Sequence, residues 1–142
     1  MSKSLGNVVR IRDALIDYSA QELRWYFAGF HYREPIVMTM SVFKKARDSL
    51  QALSKDMNNF RESPLAQKSL KNKRLNQLTA KLEKEFRQLM DDDFDTPNVL
   101  KALVNYGADL SRHTKSGRID ARSKERVEVT FQRISNVIGI SV

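Results

Sequence analysis

The residues best suited to chemistry in this sequence stand at its beginning, in the stretch MSKSLGN. Lys3 supplies one ammonium group, and Ser2 and Ser4 place a hydroxyl on either side of it. Small polar residues followed by Gly6 predict an exposed loop. Such a loop can offer a cation and several hydrogen-bond donors to an anion, and a nucleotide phosphate suits those donors. As a bare pattern, a lysine near a glycine equally describes a solvated surface loop.

An acidic run later in the chain could hold a hard cation through its carboxylate oxygens. The run consists of Asp91, Asp92, Asp93 and Asp95. It directly precedes Thr96 and Pro97, and a proline is well suited to the first turn of a helix. We expect Asp95 and Thr96 to cap that helix, and the other carboxylates to favour its positive end. The sequence therefore predicts caps here and no metal site.

The histidines and a group of aromatic residues have similar structural explanations. His31 and His113 lack the spacing of a metal pair, and neither has a nucleophile nearby in sequence, so we expect junction or surface positions. The aromatic residues could stack on nucleic-acid bases, but their helical spacing in an apolar segment predicts core positions. They are Trp25, Tyr26, Phe27 and Phe30.

Composition narrows the class of protein further. The 142 residues include 25 Lys+Arg, 17 Asp+Glu and no cysteine, and 41% are hydrophobic, enough for one domain with a real core. Zero cysteine excludes disulfides, thiolate zinc sites and a cysteine nucleophile within these residues. No apolar run approaches the ~20 residues that span a bilayer, so we expect a soluble protein without a membrane partner. The net charge of +8 favours a polyanion partner.

The elements that position these residues are predicted to be helices, because apolar residues recur at three and four positions without sustained alternation. A connecting segment comes first, with Val9, Ala14, Leu15 and Tyr18 facing inward. Ser19 and Glu22 then match a capping box, which predicts a helix from about Ala20 to His31. Longer helices are predicted from Thr39 or Ser41 to about Phe60, from about Lys73 to Met90, after Thr96-Pro97, and between Asp120 and Gly139. The expected fold class is all-α, with a loop and junction segment (residues 1–38) followed by an antiparallel helix bundle (39–142).

Several stretches together resemble a known family. MSKSLGN looks like the end of the KMSKS signature of class I aminoacyl-tRNA synthetases, with the Leu-Gly-Asn that often follows. The order and spacing of the later stretches are similar to cysteinyl-tRNA synthetases. These stretches are IRDAL at 11–15, SAQELR at 19–24, HYREP at 31–35 and MDDDFDTP at 90–97. The resemblance covers residues 1–112, and MDDDF-x-TP is its most specific part.

The resemblance implies roles for individual residues. In that family the amino acid carboxylate attacks the α-phosphate of ATP, and a loop cation stabilises the leaving pyrophosphate. Lys3 matches the second lysine of the signature and would be that catalytic cation, with Ser2 and Ser4 also at the ATP phosphates. Arg12 and Arg24 are the expected contacts to tRNA phosphates. A second basic group is expected to be a solvated face and comprises Lys68, Lys71, Lys73, Arg74, Lys81, Lys84 and Arg87.

The resemblance also implies that this chain is one piece of a larger enzyme. The family's nucleotide-binding half, with its HIGH signature and a zinc that selects the cysteine thiol, would precede the loop, so zinc is expected only there. The implied partners are tRNA-Cys, ATP and cysteine, in a cytoplasmic monomer, and the isolated chain is expected to be inactive. Two alternatives stay open. One is a free-standing basic helical module that binds RNA or protein, and the other is part of a ligase that joins cysteine to a sugar amine.

Overall fold

The structure, a computed structural model, describes residues 10–36, 38–66, 72–114 and 118–142. Within these ranges the backbone forms six helices and no multi-residue strand, which confirms the predicted all-α class. They are α1 (Ile11–Asp17), α2 (Ala20–Ala28), α3 (Met40–Arg61), α4 (Lys73–Asp91), α5 (Thr96–Thr114) and α6 (Ala121–Ile138). None of these helices is long and apolar enough to cross a membrane.

Local sequence determines most of the helix ends. Ser19 and Glu22 form the predicted capping box of α2, in which Ser19 Oγ accepts the Glu22 N–H at 3.2 Å and Glu22 Oε2 accepts the Ser19 N–H at 2.8 Å. Thr39 caps α3 and Asp120 caps α6 through their side-chain oxygens. α6 ends at Ile138, and Gly139 caps it with a φ of +75°, in the left-handed region that glycine adopts without strain.

One predicted helix end is wrong, and of the two predicted caps of α5 the Asp95 cap is confirmed and the Thr96 cap is wrong. α2 ends at Ala28, three residues early, because Gly29 closes the last turn with its N–H on the carbonyl oxygens of Trp25 and Tyr26. α5 is capped by Asp95, whose Oδ1 accepts a backbone N–H of the first turn at 3.2 Å, so Thr96 is the first helical residue. Asp95 and Thr96 are both residue types that cap helices, and the sequence alone does not rank them.

Helices α3 to α6 pack around one apolar core, with α5 between α3 and α4. α4 and α5 run antiparallel, since Leu78 adjoins Asp109 whereas Thr79, one residue later, contacts Tyr106. The hydroxyl oxygens of Thr79 and Tyr106 lie 2.9 Å apart, so each buried polar group has a partner. Burial raises the pKa of Tyr106 to about 12. The predicted apolar stripes supply the fully enclosed side chains, among them Leu53, Met57, Phe60, Leu75, Leu103, Leu110 and Val127.

α2 lies at the junction between the bundle and the first part of the chain. Trp25 belongs to the bundle core, whereas Leu23 and Tyr26 form a second cluster with Phe43 of α3. α2 is therefore buried on more than one side. The core prediction is wrong for Phe27, which is 39% exposed.

α1 is the least buried of the described helices. None of its residues is fully buried, because two turns offer too little surface to enclose an apolar side chain. Leu15 was expected to face inward and is 47% exposed, so that prediction is wrong. Ala14 and Tyr18 are partly buried against the second cluster, as expected. Val9 lies outside the described residues.

Candidate nucleic-acid interface

Two motifs that stand far apart in the sequence meet in the structure. His31, Tyr32 and Arg33 follow α2, and all three contact Asp93 in the turn between α4 and α5. We call these four residues the Asp93 latch. The latch joins positions that are about 60 residues apart in the chain and fixes the segment after α2 against the bundle.

The Arg33 guanidinium and the Asp93 carboxylate form a bidentate pair within the latch. Arg33 Nε donates to Asp93 Oδ2 at 2.6 Å, and Arg33 Nη2 donates to Oδ1 at 3.1 Å. The Tyr32 hydroxyl also donates to Oδ1, at 2.5 Å, and His31 Nε2 lies 3.1 Å from the Asp93 carbonyl oxygen. The hydrogen bonds from Arg33 and then Tyr32 lower the pKa of Asp93 to about 2. The same contact raises the pKa of Arg33.

The latch corrects the role predicted for Asp93. The sequence suggested that this carboxylate favours the positive end of α5, whereas it binds Arg33 and Tyr32. The backbone explains the difference, because Asp93 and Phe94 have φ values of +55° and +56° and turn the chain sharply before α5. The expectation that His31 lies at a junction is confirmed.

The residues predicted to contact ligands lie outside the latch. Three of them fall outside the described residues, namely Ser2, Lys3 and Ser4. Arg12 is exposed on α1. Arg24, on α2, donates from Nη1 to the carbonyl oxygen of Gly139 at 2.9 Å, so it binds the chain just after α6. Contacts of Arg12 and Arg24 with tRNA stay predictions.

The four carboxylates of the acidic run have separate surroundings. Asp91 and Asp92 are exposed, Asp93 belongs to the latch, and Asp95 caps α5. Over the ranges that the structure covers, no group of three or more His, Asp or Glu side chains could hold a metal ion.

Comparison with known proteins finds two families whose models each match part of this chain. Residues 1–48 match the family described as tRNA synthetases class I (C) catalytic domain, and residues 85–142 match the DALR domain family. The chain is 30% identical to a cysteine–tRNA ligase of Tolumonas auensis over 99% of its own length. It is also 30% identical to a cysteine–tRNA ligase of Oceanobacillus iheyensis over 100% of its length. By sequence, the chain corresponds to the C-terminal portion of cysteinyl-tRNA synthetases.

The chain spans less than a third of these synthetases, 28% of the Tolumonas protein and 31% of the Oceanobacillus protein. The family resemblance is confirmed, and it extends beyond residue 112 because the DALR match includes the last thirty residues. The two matched parts are also the parts that the Asp93 latch connects. His31, Tyr32 and Arg33 lie in the catalytic-domain match, and Asp93 lies in the DALR match.

Proposed function

We propose that this chain acts within a cysteine–tRNA ligase, which uses ATP to join cysteine to tRNA-Cys. The observation that carries the proposal is the pair of family matches tied together by the Asp93 latch. The junction domain, residues 1–38, would bring the KMSKS-like loop to ATP. The bundle domain, residues 39–142, would contact the tRNA. The bidentate Arg33–Asp93 pair supports a fixed relation between the two, because its planar geometry restrains both partners.

The proposed chemistry begins with adenylate formation. An oxygen of the cysteine carboxylate attacks the α-phosphorus of ATP, cysteinyl-adenylate forms, and pyrophosphate leaves with the bonding electron pair. The Lys3 ammonium would stabilise the negative charge that develops on the leaving group, and the Ser2 and Ser4 hydroxyls would donate to phosphate oxygens. These 142 residues offer no thiolate for the zinc that the family resemblance implies, so we place that metal in the nucleotide-binding half that would precede the loop.

The tRNA would then take the cysteinyl group from the adenylate, with release of AMP. Arg12 is exposed and can neutralise a tRNA phosphate. Arg24 uses one guanidinium N–H for the Gly139 carbonyl oxygen, which leaves four N–H groups for a second acceptor. We assign the charging reaction to a cytoplasmic monomer, and light scattering on the purified synthetase tests the monomeric state.

Replacing Lys3 by alanine in the complete synthetase tests this proposal. Loss of a preorganised donor at a developing charge lowers a chemical rate about 100-fold or more. We therefore expect cysteine-dependent exchange of pyrophosphate into ATP to slow by about that factor while the KM for cysteine changes little. Lys55→Ala, at an exposed position of α3, is the matched control and should leave the exchange rate unchanged.

Two further outcomes limit the proposal. An unchanged exchange rate in Lys3→Ala would remove Lys3 from the mechanism. A complete protein that loads cysteine onto a sugar amine but not onto tRNA-Cys would contradict the proposed substrate. The isolated 142-residue chain should show no exchange, because the nucleotide-binding half is absent from it.

A further inference from the structure

The first turn of α4 and the last turn of α5 enclose a basic cavity. Because the two helices run antiparallel, Arg74 faces the same space as Arg112 and His113, and the cavity has a volume of about 240 Å³. Leu78 and Asp109 complete its lining. We call these five residues the α4–α5 cleft. The sequence placed Arg74 on a solvated face and gave Arg112 no role.

The cleft carries an uncompensated positive charge. Arg74 forms no ion pair with a carboxylate of the described residues. Arg112 is paired with Asp109 through Nη2 and Oδ1 at 2.5 Å, and its Nε donates to the Ala108 carbonyl oxygen at 3.3 Å. The Arg112 side chain is still 75% exposed, so its other N–H groups are accessible. Two guanidinium groups face one carboxylate, before any charge on His113 is counted.

The excess positive charge of the cleft does not continue into the adjacent cavity. The next cavity along α4 and α5 shares Leu78 and Asp109 with the cleft and adds Lys81 and Glu85, which offset each other. The N-terminus of α4 and the C-terminus of α5 meet at the cleft end, so their opposite partial charges offset each other and the guanidinium groups supply the positive charge. An anion is therefore attracted to the cleft more than to the adjacent cavity.

We propose that the α4–α5 cleft binds a backbone phosphate of tRNA. Planar guanidinium groups can each donate to two oxygen atoms, which suits a phosphate better than a single ammonium would. The proposal rests on the proposed function, because tRNA is the polyanion that this function supplies. Arg74 lies between the two family matches, in residues 49–84, so neither match assigns it a role.

Binding of a tRNA-Cys transcript to the 142-residue chain, measured at several salt concentrations, tests the cleft. The test variant is Arg74→Gln/Arg112→Gln. The control, Arg87→Gln/Arg133→Gln, removes two exposed arginines that do not line the cleft. We expect the test variant to bind about tenfold more weakly, because charge-assisted hydrogen bonds to a phosphate are lost. The slope of log K against log salt concentration should become less negative by about 0.7 to 0.9, the contribution of one phosphate contact. The control should lose less than about twofold.

Titration with inorganic phosphate tests the cleft without tRNA. NMR signals of the His113 ring and the Arg74 Nε–H should shift saturably in the unaltered chain, and the His113 shift should be absent in the test variant. Melting curves of both variants confirm that they remain folded.

The possible outcomes distinguish a failure of the cleft proposal from a failure of the proposed function. Equal loss of tRNA affinity in the two double variants, or no phosphate shift at His113, would overturn the cleft proposal while tRNA binding itself stands. An unaltered chain that binds no tRNA would count against the proposed function, and the phosphate titration would still decide whether the cleft is an anion site. A stronger shift with an acidic peptide than with phosphate would assign the cleft to a protein partner instead.

Discussion

Apolar residues of similar type are buried in the bundle but exposed on the first helix, α1. Leu53 and Leu103 are fully enclosed between α3 and α5, whereas Ile11 and Ile16 on α1 are 67% and 80% exposed. Both regions contain apolar residues at helical spacing, so the difference lies in what packs against them. In the bundle, α3 and α5 cover each other's apolar residues, whereas most apolar residues of α1 have no such cover. An exposed apolar surface of this kind usually marks a contact with another surface.

Ile11 borders a groove of about 420 Å³ between α1, α2 and the start of α3. Its apolar walls include Ile11, Met38 and Met40, with Asp13 and Asp17 at the α1 side. The groove lies within the part that matches the class I catalytic domain, and the enclosed core lies mainly in the bundle. We infer that apolar side chains buried in the bundle stabilise the fold, while the first region leaves apolar side chains exposed for contact with another surface.

The largest expected effect tests the bundle directly. Leu103→Ala should lower the free energy of unfolding by about 3 to 5 kcal/mol, because it leaves a cavity in an enclosed core. Leu15→Ala is the same substitution at the half-exposed position on α1 and should cost less than about 1 kcal/mol. Urea denaturation measures both. Equal losses would contradict the contrast and make α1 part of the cooperative core.

A smaller effect is expected when the Arg33–Asp93 ion pair of the Asp93 latch is removed. Asp93→Asn removes the charge that Arg33 binds, so amide hydrogen exchange in α2 and the segment after it should accelerate while exchange in α5 stays slow. Asp92→Asn, at the exposed neighbouring position, should change neither. Acceleration across the whole chain would show that the two regions unfold as one unit.

The same variant tests how the stability of the folded protein depends on pH. The folded-state pKa of Asp93 is lowered from 3.8 to about 2, so its ionised form stabilises the folded protein. That stabilisation is complete above about pH 4 and is lost as the pH falls towards 2. The difference in melting temperature between the unaltered protein and Asp93→Asn should therefore be constant from pH 7 to about 4 and shrink below that. A difference that persists at pH 2 would assign the effect to something other than this carboxylate.

The smallest effect on stability is expected in the groove. Ile11→Ser should change the free energy of unfolding by less than about 0.5 kcal/mol, since the side chain is already mostly in water. Binding of an apolar fluorescent dye should nevertheless fall, because the residue lines the groove. Val129→Ser, at an exposed position on α6, is the matched control for dye binding. Unchanged dye binding in Ile11→Ser would show that the groove is not the accessible apolar surface.

Features that depend on neighbouring residues were predictable from the sequence. The capping box at Ser19 and Glu22, the cap at Asp120 and the left-handed end at Gly139 each need only a few adjacent positions. The apolar stripes of the bundle were also correct, because helical periodicity identifies the buried face without knowledge of the partner helix.

Features that depend on distant residues were missed. The sequence contains Arg33 and Asp93 in separate motifs, and their opposite charges were the only signal that the two motifs meet. Aspartate adopts the left-handed region more often than most residues, but nothing in the type of Phe94 indicates the left-handed backbone found there. Leu15 and the α4–α5 cleft were missed for the same reason, because exposure and cavity shape follow from how helices pack.

One consequence concerns the order in which the chain is made. Arg24 Nη1 donates to the Gly139 carbonyl oxygen, and Gln21 Oε1 accepts the Ser141 N–H, across 115 and 120 residues of sequence. A ribosome adds about 5 to 20 residues per second, so α2 waits roughly 6 to 24 s for these partners. During synthesis, the early helix therefore emerges long before the residues that complete its surroundings. The contacts around α2 are complete only when residues 139–141 pack against it.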